Sequence, residues 1–147
     1  MDKTTPYLLV DSSRLLRRAF DDRVRATGAT SPQARLLLTL SRSPDQNQAY
    51  YADRLEIEPI TLCRMVDRME ESGLVERQPD PTDRRARRLH LTPRSRSEIE
   101  SIERALDGLT ETMLQGFDDD EQAQLAAMLK RVAENLSAPT GEAVVNG

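Results

Sequence analysis

The sequence predicts a mainly α-helical chain carrying one small β-hairpin. Three observations point there. An amphipathic stretch from about Pro59 to Ser72 stops at Gly73 and runs into Leu74-Val75, a turn on Asp80-Pro81, and a returning segment from Arg88 to Leu91 that ends at Thr92-Pro93. A shorter amphipathic segment, about Gln46 to Leu55, precedes it across the tight turn Glu56-Ile57-Glu58. Long apolar stripes at helical spacing lie at both ends of the chain. Two helices joined by a tight turn and followed by a hairpin make a winged helix-turn-helix. The terminal stripes add N- and C-terminal dimerisation helices to that fold class.

The elements follow in order. Thr4 to about Thr27 reads as a helix, with Leu8, Leu15, Leu16, Phe20 and Val24 at helical spacing, Pro6 in its first turn and Gly28 closing it. Its opposite face (Arg14, Arg17, Arg18, Asp21, Asp22, Arg25) reads as solvated. Thr30-Ser31-Pro32 begins the next helix, with Ser31 as cap. Leu36, Leu37, Leu38 and Leu40 are core, and Ser41 to Gln46 is a polar turn. The helix from about Pro59 to Ser72, the second of the helix-turn-helix, buries Leu62, Val66 and Met69, with Cys63 and Met65 beside them. From Pro93 a long segment steps through Ile99, Ile102, Leu106, Leu109, Met113 and Phe117, ended or kinked by Gly116. Asp118 caps the last helix, with Glu121 as its capping-box partner. The expected organisation is an N-terminal dimerisation helix (1–29), a winged lobe (30–93), C-terminal dimerisation helices (94–137) and a disordered tail (138–147). The end helices carry more apolar stripe than a small lobe can cover, so they predict a homodimer.

Composition narrows the class further. Aromatics are scarce and Trp is absent, so the core must be built from aliphatic residues and Met. No apolar run is long enough for a membrane span and no signal peptide is legible, which predicts a cytoplasmic protein with no membrane partner. The single Cys63 excludes an internal disulfide and reads as a structural residue more readily than as a redox switch. Net charge is -4, but its distribution is uneven. Residues 77–96 hold seven Arg against Asp80 and Asp83, a net +5, whereas 97–147 carry a net -8. A localised basic patch on an acidic protein favours one oriented encounter with double-stranded DNA. His90 is the only histidine, and it sits in a predicted strand without partners for a zinc site or a catalytic triad. No Gly-rich phosphate loop exists, so neither an enzyme nor a cofactor is expected.

Candidate contact residues come from the same segment. Ile60, Thr61, Arg64 and Arg68 share the recognition-helix face opposite the buried one, and Arg64 and Arg68 project together at i and i+4. Arginine is the commonest reader of guanine, and Thr61 suits a phosphate or a thymine methyl. The competing reading of Arg68 is an ion pair with Glu71 or another surface acid. At the hairpin tip, Asp83, Arg84, Arg85, Arg87 and Arg88 crowd together behind Pro79 and Pro81. A merely solvated hairpin is the alternative there, but such like charges repel unless a polyanion or internal pairing relieves them. Arg77 is expected to hold the wing to the helices. Tyr51 packs inward, and Tyr50 either packs or reaches a phosphate.

The succession Asp67, Glu70, Gly73-Leu74-Val75, Arg77, Asp80-Pro81, Asp83-Arg84-Arg85-Ala86 and Leu91-Thr92 resembles the MarR family of bacterial transcriptional regulators, most closely its SlyA-like branch. The central third carries the resemblance, and the flanking helices agree in length and pattern. One departure is that the family's Gly after the Leu-Thr pair is replaced by Ser95 or Ser97. The resemblance implies a dimer interlocked through its terminal helices, Arg64 as a base contact, Asp83 orienting an arginine, and a wing tip in the minor groove. It implies a sequence-specific regulator, by default a repressor, on a pseudopalindromic operator. Release would come from a small aromatic or anionic effector in a cleft whose expected walls include Tyr7, Arg17, Phe20 and Leu36. The alternative is a winged-helix protein-interaction module, which has no need of a +5 segment.

Overall fold

The structure, a computed structural model, describes residues 3–137, so the tail predicted to be disordered lies outside the described residues. The elements are α1 (Thr4–Arg25), α2 (Ser31–Arg42), α3 (Gln48–Leu55), α4 (Pro59–Glu71), β1 (Val75–Pro79), β2 (Arg87–Leu91), a 3-10 turn (Pro93–Ser95), α5 (Arg96–Met113) and α6 (Asp119–Ser137). The chain divides into two compact units after Leu109. The first holds the helix-turn-helix and the hairpin, which is the predicted winged fold.

Local chemistry explains most of the boundaries. Thr30, not Ser31, caps α2: its backbone is extended, and its hydroxyl accepts from the Gln33 amide at 3.3 Å. Ser31 is already helical, and its hydroxyl donates to Asp21 instead. Asn47 caps α3 by accepting from the Tyr50 amide at 2.9 Å, which starts that helix two residues later than predicted. α4 ends in a hydrogen-bonded Gly stop. Gly73 adopts φ +78, its amide donates to Glu70, and the Leu74 amide donates to Met69. That left-handed turn lets Leu74 fold back onto the core.

The core of the first unit is aliphatic, with one aromatic. Val24, Leu36, Leu37, Leu40, Leu62, Val66, Met69, Val75, Leu89 and Ile102 are fully buried around Tyr51. The Tyr51 hydroxyl donates to the Ser43 carbonyl at 2.7 Å and accepts from the Gln46 amide at 3.1 Å. It thereby satisfies the irregular turn between α2 and α3, where Asp45 sits at φ 63.

β1 and β2 pair antiparallel in the register Val75↔Leu91, Arg77↔Leu89 and Pro79↔Arg87. On its other side β2 bridges to the α2–α3 turn: Asn47 pairs with Arg88, and the Leu89 amide donates to Gln46 at 3.1 Å. A two-stranded hairpin is marginal alone, and this extra backbone contact ties it to the helices. Ser95 is one of the two serines that stand where the resemblance leads one to expect Gly. It is buried, its hydroxyl donates to Thr92 at 2.7 Å, and α5 starts from the 3-10 turn. In the second unit, Asp118 and Glu121 form the predicted capping box, accepting from each other's amides at 2.8 and 3.1 Å. α6 buries none of its residues. Among the described residues, no helix is long and apolar enough to cross a membrane.

The dual role of Tyr51 is open to test. Tyr51→Phe keeps the ring but strands the Gln46 amide and the Ser43 carbonyl. Urea denaturation should show a loss of about 1–2 kcal/mol. An unchanged midpoint and slope would remove Tyr51 as the support of this turn.

Candidate nucleic-acid interface

α4 presents one apolar and one polar face. Leu62, Met65, Val66 and Met69 are buried, while Ile60, Thr61, Arg64 and Arg68 are all exposed. Among the described residues, Arg64 and Arg68 form no ion pair or side-chain hydrogen bond. The pairing of Arg68 with Glu71 raised by the sequence is therefore not adopted, as no such bridge forms.

Arg77 attaches the hairpin to this helix. Its Nη1 lies 2.6 Å from Asp67 Oδ1 and 3.2 Å from Glu70 Oε1. Its Nη2 donates to the Cys63 carbonyl at 2.9 Å, and its Nε donates to Gln48 Oε1 on α3 at 2.8 Å. The Arg77 amide donates to Glu70 as well, at 3.1 Å. Only 17% of its side chain is exposed. Burial works to lower the guanidinium pKa, but Asp67, Cys63 and Glu70 outweigh it and the pKa rises. Cys63 is half-buried behind this clamp, its sulfur 3.5 Å from Nη2.

The wing tip is ordered by its aspartates rather than by its arginines. Asp80 is buried, and its Oδ1 accepts from both the Thr82 amide and hydroxyl at 2.8 Å. Asp83 accepts from the Arg85 amide at 2.9 Å and so fixes the backbone of that arginine. Arg84, Arg85 and Arg87 are exposed, and none of the three forms an ion pair among the described residues. Arg88 differs from them. It is half-buried in β2 and bridges Asp45 at 3.0 Å and Asp80 at 3.5 Å. The strand's alternation turns Arg88 toward the α2–α3 turn, whereas sequence proximity alone grouped it with the tip.

Tyr50 is half-buried. It packs edge-to-face on Tyr51 with ring centroids 5.2 Å apart, and the Arg54 guanidinium lies 5.8 Å over its ring.

A cavity of about 600 Å³ opens beside the helix-turn-helix, between α1, α2, the end of α3 and α5. Arg17 and Phe20 line it, together with Arg35, Leu38, Leu106 and Leu109. Leu36 does not: it is fully buried in the core, because Leu38 lies two residues on, about 200° around the helix, and takes the cavity side. Tyr7 is also outside it, 76% exposed near the start of α1. Arg35 is a wall residue whose only signal in the sequence is a charge entering the apolar run of α2. Its Nη2 donates to the Leu55 carbonyl at 3.2 Å. Its pKa is lowered by burial and then by Arg17, against Asp21 and Glu56.

Fold and surface together define a winged-helix transcriptional regulator. The family model described as MarR family matches residues 29–86. The solved transcriptional regulator PA3341 is 32% identical, with TM-score 0.79, over 92% of this chain and 99% of that one. The structure of MarR is 28% identical, with TM-score 0.77, over 97% and 98% of the two chains. The transcriptional repressor CouR, solved bound to a 23-mer DNA duplex, is 26% identical, with TM-score 0.69, over 87% and 91%. The chain belongs to the MarR family of transcriptional regulators.

Two predictions arise from this geometry. Lysine cannot replace the fork of Arg77, being a single point charge. Arg77→Lys should lower stability in urea by roughly 2 kcal/mol, the scale of a lost charge-assisted hydrogen bond; equal stability would show that the clamp carries no load. The Asp80 carboxyl is held below the usual aspartate range by the Thr82 amide, then its hydroxyl, against burial and with help from Arg88. A depressed folded pKa means that its contribution is complete above the ordinary value near ~3.9 and disappears as pH falls through the folded one. The Thr82 amide resonance should therefore titrate below ~3.9, and Asp80→Asn should abolish the step. A step at or above the ordinary value would contradict the bonding described.

Proposed function

We propose that this protein is a sequence-specific regulator that binds double-stranded DNA as a homodimer, by default a repressor, on a pseudopalindromic operator. The observation that carries the reading is a division of labour among arginines in one lobe. Arg77 and Arg88 are spent on ion pairs, while Arg64 and Arg68 on α4 and Arg84, Arg85 and Arg87 at the wing tip have none among the described residues. α4 enters the major groove, where Arg64 and Arg68 read base edges and Thr61 touches a phosphate or a methyl. The tip reaches the adjacent minor groove, where arginine senses groove width. CouR, solved on a DNA duplex, supports this reading. Asp83 sets the tip, Arg88 braces it, and Tyr50, in the first turn of α3, offers its hydroxyl to a phosphate.

A second copy covers the apolar residues that one chain leaves open. On α1 these are Tyr7, Leu8, Leu9, Val10, Leu15 and Leu16; in the second unit they include Phe117, Met128, Leu129 and Leu136. Residues 1–29 and 94–137 then act as dimerisation segments around the reading lobe at 30–93. The cavity takes a small aromatic or anionic effector, with Phe20 offering a ring and Arg17 and Arg35 positive charge. The effector favours dimers whose recognition-helix spacing does not fit DNA, which is a shift of population.

Fluorescence anisotropy against the DNA upstream of the gene and a scrambled duplex, at several salt concentrations, tests the reading. Tight, salt-steep and sequence-dependent binding is expected, with a dimer in sedimentation. Equal and salt-insensitive binding to both duplexes would refute it. Arg85→Ala should weaken binding to every sequence and reduce the salt slope by about 1. Arg64→Ala should in addition relax base preference, at a loss of roughly 1–3 kcal/mol on the specific duplex; an unchanged ratio of specific to random binding would rule Arg64 out as a base reader.

A further inference from the structure

Ile60 is the one large hydrophobic side chain exposed anywhere between residues 17 and 112; all the others exposed among the described residues lie on α1 or after Thr112. It is 62% exposed and stands in the first turn of α4, directly after Pro59. A single exposed apolar residue is ordinary on a protein surface. This one, however, shares its face with Thr61, Arg64 and Arg68, all exposed and polar. A β-branched side chain in a helix is nearly confined to one rotamer, so its methyl groups are pre-set in direction.

The major-groove edge of DNA offers one apolar group to such a side chain, the C5-methyl of thymine. Ile60 and Arg64 are at i and i+4, so they lie along one ridge about 6 Å apart. Stacked base pairs are about 3.4 Å apart. Resting on the DNA-binding reading above, we infer that Ile60 is a specificity-determining residue that reads the C5-methyl of a thymine within about two base pairs of the guanine read by Arg64. Arg64 supplies the hydrogen-bonded base and Ile60 the apolar one. Each half-site then carries a G and a T at fixed separation.

The test uses the full-length protein and duplexes enriched by it from a random library. In the enriched duplex each thymine is replaced singly by deoxyuridine, which removes only the methyl group. Wild-type protein should lose about fourfold in affinity at one thymine per half-site, the ratio equivalent to burying about one methylene-sized group. Ile60→Ser should bind the thymine and deoxyuridine duplexes equally. Ile60→Val, which keeps branched methyls, should preserve the discrimination and serves as the folding control. Failure of every thymine to discriminate, or discrimination that survives Ile60→Ser at all the thymines that show it, would overturn the assignment of Ile60 while leaving the DNA-binding reading intact. Failure to enrich any duplex, with no binding to random DNA, would overturn both.

Discussion

The guanidinium of Arg77 fixes where the wing stands. Two strands joined by a charged tip have little reason to stay folded, and less reason to hold one angle to a helix. Arg77 meets that need because its donors diverge in a plane: toward Asp67 and Glu70 on one side of α4, toward the Cys63 carbonyl within the same helix, and toward Gln48 on α3. A rigid fork can satisfy several acceptors at once with little loss of side-chain freedom per bond. The partners span both helices of the helix-turn-helix, so the hairpin is attached to the pair rather than to one member. Any surface that needs α4 and the wing tip at a fixed separation depends on this residue.

A second anchor works from the opposite edge of the hairpin. Leu89 donates to Gln46, and Arg88 bridges Asp45 and Asp80. Asp80 meanwhile bonds the Thr82 amide and hydroxyl, and Asp83 bonds the Arg85 amide. The acids near the tip therefore shape its backbone, and Arg84, Arg85 and Arg87 keep their charge unpaired among the described residues. That pattern resolves the tension of so many cations in so short a segment. Those that would weaken the fold by being buried alone are paired, and those left exposed are separated by solvent and screened by salt.

What was legible in the sequence was what local chemistry decides. The Gly73 stop, the Asp118–Glu121 capping box and the two faces of α4 each need only a few neighbouring residues. The anchoring role of Arg77 was legible in outline, although its contacts with Gln48 and the Cys63 carbonyl were not, because they depend on how α3 meets α4. Arg88 was read with the tip because its partner Asp45 is 43 positions away in the chain. The cap of α2 was misplaced by one residue, since Thr30 and Ser31 are both good caps and only backbone angle separates them. Leu36 and Leu38 look alike in an apolar run, and only packing decides which one faces the core and which one lines the cavity.

The wall of the cavity is bonded to the turn that leads into α4. Arg35, in its wall, donates to the carbonyl of Leu55, the last residue of α3. Arg17, also in its wall, lies 4.0 Å from Glu56, the left-handed residue that turns the chain toward α4. Glu56 is not glycine, so its left-handed backbone carries some strain. Its amide bonds to Ala52 and Asp53 hold it there. An anion seated between Arg17 and Arg35 competes with Glu56 and the Leu55 carbonyl for the same two cations. The turn that aims α4 is thus the element on which such an occupant would act first. In the proposed dimer, a small change of aim in each copy alters the separation of two recognition helices together, and a half-site spacing set by the DNA repeat tolerates little such change.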